Sequence, residues 1–274
     1  MRRLSITLFS LCLASALTAQ TTGSNQSVRL RADNIDEVVS AMTLEEKVHL
    51  VIGCGMSMGS DTKFPGTAGR TYDIPRLGIP SAYLADGPHR LAMAAKREFD
   101  SRTYHATEFP SSTTVAATFN PDAAHKVGRT LGTEVKDYGL DVLLAPGVNL
   151  MRNVLCGRNH EYYSEDPLLT GLCAAAETKG VQSYKGHGTT IKHFAANNQE
   201  DNRMFTNAHI SERALREIYL KGFEIAVKTA QPYAIMTSYN LINGTHAANH
   251  YDMLQNVACL LYTSPSPRDT ERSR

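Results

Sequence analysis

From residue 81 onward the chain alternates short apolar runs with amphipathic stretches of helical length. That alternation restricts the possible folds more than any other feature. Runs at 81–85, 114–119, 142–145, 189–194 and 233–238 read as strands. Segments at 123–138, 168–184 and 211–229 read as helices, with a partial helix near Asp252. Strands separated by helices of this length imply βα units, with parallel strands buried on both faces. The expected class is therefore α/β. Upstream, 33–50 reads as a capped helix: Thr43-Leu44-Glu45-Glu46 resembles a helix start, and Leu44, Val48 and Val51 share a face.

Both ends read as something other than this domain. Arg2 and Arg3 precede an apolar stretch at 4–17 that is too short to span a bilayer, and small residues follow up to Ala19. This is the pattern of a secretory signal peptide over 1–19, so the mature chain is expected to be secreted or periplasmic, with no membrane attachment after cleavage. At the other end, 259–274 reads as a translated sequencing adapter: Cys259-Leu260-Leu261-Tyr262-Thr263-Ser264-Pro265-Ser266-Pro267-Arg268-Asp269 follows its reading frame. Such a scar is set aside before fold reasoning. What remains is 20–258, expected to be one large but incomplete domain.

Charge narrows the partners. The chain carries 28 Lys and Arg against 27 Asp and Glu, a formal net charge of +1, with no basic block, which argues against a nucleic-acid partner. Within 20–258 the cysteines are Cys54, Cys156 and Cys173. An odd, sparse set makes neither a disulfide framework nor a metal knuckle, although a single bridge stays open. Gly53 to Gly59 superficially resembles a dinucleotide loop, but its spacing is wrong and it follows a helix where a strand is needed. His89, His105, His160, His187, His193, His209 and His246 could in principle serve a metal, yet none pairs as His-x-x-x-His beside a helical glutamate. No metal or cofactor is expected.

The polar motifs gather at one end of the predicted strands. Asp86 in Ala85-Asp86-Gly87-Pro88, Asn149, Lys192-His193 and Tyr239-Asn240 all lie at or just past strand C-termini. That is the face where (β/α) barrels place their sites, and an open doubly wound sheet would place its site at the same strand ends. Arg158 lies in a long loop before a helix that Asp166 caps and Pro167 begins. The same loop could equally hold a solvated ion-pair network of Arg158, Glu161 and Glu165. Lys192 and His193, adjacent on a strand, should point to opposite faces unless a bulge turns both toward the mouth.

Taken together, these segments resemble the N-terminal barrel domain of glycoside hydrolase family 3, in its β-glucosidase-like branch. The matching residues are Ile74-Pro75-Arg76-Leu77-Gly78-Ile79-Pro80, Asp86-Gly87-Pro88, Gly157-Arg158-Asn159 with Ser164-Glu165-Asp166-Pro167, and Lys192-His193-Phe194. Asn197-Asn198-Gln199-Glu200 with Asn202-Arg203, the segment 211–219, and Met236-Thr237-Ser238-Tyr239-Asn240 complete the set. The resemblance implies an incomplete TIM-type (β/α) barrel and a retaining exo-β-glycosidase acting on a β-glucoside or oligosaccharide. It implies that Asp86, Arg158, Lys192, His193 and Arg203 hydrogen-bond the sugar in the −1 subsite, with Tyr239 beside the nucleophile. Asp86 in its Asp-Gly-Pro turn favours a glucose-type sugar over a pentose, with β-xylosidase-type specificity as the alternative. The implied nucleophile and the acid/base, the latter in an α/β sandwich domain, fall outside 20–258. A non-catalytic sugar-binding fragment is the rival expectation.

Overall fold

The computed structural model describes residues 28–55 and 63–262. The proposed signal peptide and residues 263–274 of the adapter-like tail lie outside the described residues. Two short helices come first, α1 (Ile35–Ala41) and α2 (Leu44–Ile52). They replace the single helix expected over 33–50, because Met42 turns extended (ψ 138°) and Thr43 restarts the chain. Thr43 and Glu46 form a reciprocal capping box, which satisfies two amide donors of the new helix start. The face carrying Leu44, Val48 and Val51 is exposed rather than packed against the described core.

A five-stranded sheet follows, ordered β1-β2-β3-β4-β6. Its strands are β1 (Gly69–Arg70), β2 (Tyr83–Asp86), β3 (Val142–Leu144), β4 (Gly188–Phe194) and β6 (Ala234–Thr237). From β2 to β6 every pairing is parallel, as the alternating pattern predicts. The short β1 was not expected, and it runs antiparallel to β2 at the sheet edge. The helices α4 (Pro121–Asp137), α5 (Pro167–Val181) and α7 (Lys221–Ala230) link consecutive strands. The result is a half-barrel. A second sheet, β5 (Asn207–Ala208), β7 (Leu241–Ile242) and β8 (Thr245–His246), was also missed in the sequence.

The strand expected at 114–119 is instead a helix, α3 (Ser112–Ala116). Its β-branched residues favour an extended chain, but tertiary contacts override that preference. The Ser111 side chain caps the helix by accepting from the Thr114 amide, and the Thr113 hydroxyl lies 3.1 Å from the Asn159 carbonyl and 3.0 Å from that of Tyr162. The segment after α5 begins as α6 (Glu212–Ala214), passes through a wider turn at Leu215–Tyr219, and becomes α7. The partial helix expected near Asp252 is present as Asp252–Tyr262.

The core lies between the sheet and its helices. Strand β4 is buried along its whole length, and Phe194 meets Phe223 of α7 edge-on at 5.1 Å between ring centroids. Helices α4 and α5 approach each other closely enough to need glycine. A Cβ on Gly128 would sit 2.2 Å from the Glu177 carbonyl oxygen, and one on Gly180 would sit 2.4 Å from that of His125. Gly128→Ala is therefore expected to destabilise the fold by about 1–3 kcal/mol through overpacking, although alanine is the better helix former by roughly 1 kcal/mol. A denaturant midpoint equal to that of the parent would contradict this reading of the helix contact.

Candidate active site

Each strand of the parallel set delivers polar side chains at its C-terminal end. Asp86 is the last residue of β2, and the chain turns immediately after it through Gly87-Pro88. The long loop after β3 carries Asn149, Arg158, Glu161 and Tyr162. Strand β4 supplies Lys192 and His193, and Tyr239 follows β6. The pairing of β4 with β6 slips between Lys192 and Phe194, which is the irregularity needed to turn both neighbours toward the mouth. The Lys192–His193 peptide is cis.

The side chains form two linked chains of contacts. In the first, Lys192 Nζ lies 3.0 Å from Asp86 Oδ1 and 3.6 Å from Glu161 Oε2, and Glu161 also pairs with Arg158 Nε. Lys192 and Glu161 are almost fully covered, whereas the Asp86 side chain is 50 % exposed. Asp86 therefore has one oxygen held by lysine and the rest of its carboxylate open to solvent. Burial opposes charge on Glu161, but the Arg158 hydrogen bond and the nearby Lys192 hold its carboxyl below the usual carboxylate range. Burial likewise opposes charge on Arg158, and Glu161 more than restores it.

In the second chain, Tyr162 Oη lies 3.0 Å from His193 Nδ1 and accepts from Asn197 Nδ2 at 3.1 Å. Asn197 also donates to Glu200, which accepts from Arg203 at 2.9 Å. The Arg203 guanidinium stands over the Tyr239 ring, 4.9 Å from its centroid. Asn149 fixes the His193 backbone from both sides, donating to its carbonyl at 2.8 Å and accepting from its amide at 3.0 Å.

This network assigns the histidine tautomer. The Tyr162 hydroxyl, already accepting from Asn197, donates its single hydrogen to Nδ1, which leaves Nε2 carrying the ring hydrogen. Burial, reinforced by Arg158 and Lys192, pushes the His193 pKa from 6.5 down to about 3. The ring is a neutral donor at ordinary pH. The consequence for stability has a definite sign. An unfolded chain protonates this histidine below its ordinary value while the folded one resists, so the contribution of His193 is intact above about pH 6.5 and is lost as pH falls toward 3. Glu161 acts in the same direction. Buried Glu177, pushed up to about 7, pulls the other way, so the change in unfolding midpoint from about pH 7 to pH 4 is expected to be less unfavourable in His193→Gln than in the parent, and equal changes in the two would contradict it.

All of Asp86, Arg158, Lys192, His193, Arg203 and Tyr239 thus stand at one mouth. The ion pair around Arg158 exists but is buried rather than solvated, and Glu165 makes no ion pair among the described residues. The sequence reading did not anticipate Tyr162, Asn197 and Glu200 as connectors. Their signal was present only as polar density around the motifs. A cleft of about 280 Å³ opens beside Asp86, Arg158, Glu161 and Lys192. Charged donors and acceptors around such a cleft suit a ligand bearing several hydroxyls. His89 and His160, weighed above as metal ligands, face each other there at 5.3 Å between ring centroids. No group of three or more His, Cys, Asp or Glu side chains converges on a metal-sized site among the described residues. Cys54, Cys156 and Cys173 are free thiols, so the single bridge left open above does not form. No described helix is long and apolar enough to cross a membrane.

The half-barrel with polar side chains at its strand ends defines a partial (β/α) barrel, and comparison with known proteins sharpens the class. Residues 87–258 match the glycosyl hydrolase family 3 N-terminal domain. Beta-glucosidase B of Emericella nidulans is 44% identical over 223 residues, covering 81% of this chain and 24% of that protein. An exo-alpha-(1->6)-L-arabinopyranosidase of Bifidobacterium longum is also 44% identical, covering 80% of this chain and 28% of that protein. Among solved structures, beta-glucosidase 3B from Thermotoga neapolitana in complex with glucose superposes with a TM-score of 0.79 at 49% identity, over 82% of this chain and 32% of that one. The chain belongs to glycoside hydrolase family 3. It spans roughly a quarter to a third of the length of these relatives.

Proposed function

We propose that this chain is the sugar-gripping part of a retaining exo-β-glucosidase, and that Asp86, Arg158, Lys192, His193, Arg203 and Tyr239 form its −1 subsite. The observation that carries the proposal is the pairing of a half-exposed Asp86 carboxylate with a buried Lys192 at the strand ends. A carboxylate anchored by one oxygen and open at the other is set to accept hydroxyl hydrogens from a pyranose. Lys192, Arg158 and the Nε2–H of His193 supply donors around it.

Retaining hydrolysis needs two carboxyl groups about 5–5.5 Å apart, one attacking the anomeric carbon and one protonating the leaving oxygen. Asp86 and Glu161 are both committed to Lys192 and are not such a pair. This chain covers only 24% and 32% of relatives named beta-glucosidase, which supports the further proposal that the nucleophile and the acid/base belong to a part of a longer protein outside this chain and that these residues alone do not turn substrate over. The alternative with its own support is a different pyranose, because an arabinopyranosidase stands at the same 44% identity as a glucosidase. Monitoring the first-formed anomer by NMR, with a full-length protein and an aryl β-glucoside, tests the reading. β-glucose appearing before mutarotation is expected. First-formed α-glucose, or cleavage of arabinopyranosides alone, would overturn it.

Export is a further element of the proposal and rests on residues 1–19. Edman sequencing of the extracytoplasmic protein should start at Gln20. An intact Met1 on the isolated protein would remove export from the account.

A further inference from the structure

A second cleft of about 350 Å³ opens at the same mouth, between the loop after β3 and the loop after β4. Asn153 and Leu155 stand on one wall, and Asn198, Gln199, Glu200 and Asp201 on the other. None of the residues gripping the proposed −1 sugar lines it. We propose that this cleft is a separate binding site for a neutral sugar unit.

The free hydrogen-bonding groups of the walls carry the inference. Asn198 Nδ2 donates to the Leu150 carbonyl at 2.5 Å and Gln199 Nε2 to the Asp201 carbonyl at 2.9 Å, while Asn153 Oδ1 accepts from the Leu155 amide at 2.9 Å. These bonds fix the side chains in place. They leave Asn198 Oδ1, Gln199 Oε1, the Asp201 carboxylate and Asn153 Nδ2 with no protein partner among the described residues. Glu200 is already held by Arg203 and Asn197 and adds no free group. What the cleft offers is therefore mostly acceptors, with amide donors on Asn153 and, through its second hydrogen, Asn198.

That inventory selects a ligand rich in O–H donors. No Lys, Arg or His lines the cleft, so nothing there recommends an anion. Leu155, 86% exposed, supplies an apolar surface for the C–H face of a pyranose ring. The volume lies at the low end of the roughly 300–1,000 Å³ typical of small-molecule sites, enough for a sugar unit.

The test is calorimetric titration of the full-length gene product with the non-hydrolysable probe thiocellobiose. It uses Asp86→Ala to disable the −1 subsite. Residual saturable binding is expected in that background. Adding Gln199→Ala and Asp201→Ala should weaken it by about tenfold, the effect of losing hydrogen bonds worth about 1.4 kcal/mol in total. Asn153→Ala, on the opposite wall, should weaken it independently, which guards against a local collapse of one loop. Residual binding that ignores all three substitutions, or no residual binding at all, overturns the inference. Full activity in Asp86→Ala would sink the −1 assignment and leave this second site to be judged on its own variants.

Discussion

Replacing Asp86 by alanine in the full-length enzyme is expected to lower kcat/KM for an aryl β-glucoside by several orders of magnitude while leaving the fold intact. A hydrogen bond to a charged group contributes about 1.5–3 kcal/mol. Losing two such bonds to sugar hydroxyls corresponds to roughly a 10²–10⁴-fold loss, at tenfold per 1.36 kcal/mol. The fold survives because Lys192 keeps Glu161 as a counter-charge, 3.6 Å away, when Asp86 is gone. Asp86→Asn should retain part of the shape yet lose most of the rate, since a neutral amide is the weaker acceptor and presents a donor where an acceptor is needed. Near-normal turnover by either variant would contradict the site assignment.

Removing Glu161 should have the opposite profile, a large effect on stability first and on activity as a consequence. Its carboxylate lies between Arg158 and Lys192, and its side chain is only 8% exposed. Without it, among the described residues, Lys192 depends on the half-exposed Asp86 alone and Arg158 keeps no ion-pair partner. Breaking a buried pair by deleting one partner typically costs about 3–5 kcal/mol. Glu161→Ala is expected to lose that much in a denaturant melt. Glu165→Gln, four residues on and outside the network, should stay within about 0.5 kcal/mol of the parent. Equal effects from the two substitutions would mean that the buried network does not support the mouth.

How much of this was legible beforehand depended on the range of the interactions involved. The helices α4, α5 and α7 were readable because their caps and apolar spacing are local: Asp166 accepts from the amides of Leu168 and Leu169, and Pro167 opens the helix, as its sequence suggests. The stretch 114–119 was misread because Thr113, Thr114 and Val115 favour strand locally, while Ser111 and contacts to the loop at 159–162 decide for helix. The small sheet β5-β7-β8 and the edge strand β1 are two residues per strand, below what alternation can reveal. In the proposed site, the residues were nominated by motif, and their partners were not. Glu161 stood in view, but only the fold shows that it is buried against Lys192, thirty-one positions away in the chain.

The most direct test is a crystal structure of the full-length protein soaked with glucose. Density for a pyranose ring in the cleft beside Asp86 is expected, with hydroxyls within hydrogen-bond distance of the Asp86 carboxylate, Lys192 Nζ and His193 Nε2. Glucose bound elsewhere, with these groups contacting only one another, would contradict the central claim that the strand-end network is built to hold a sugar.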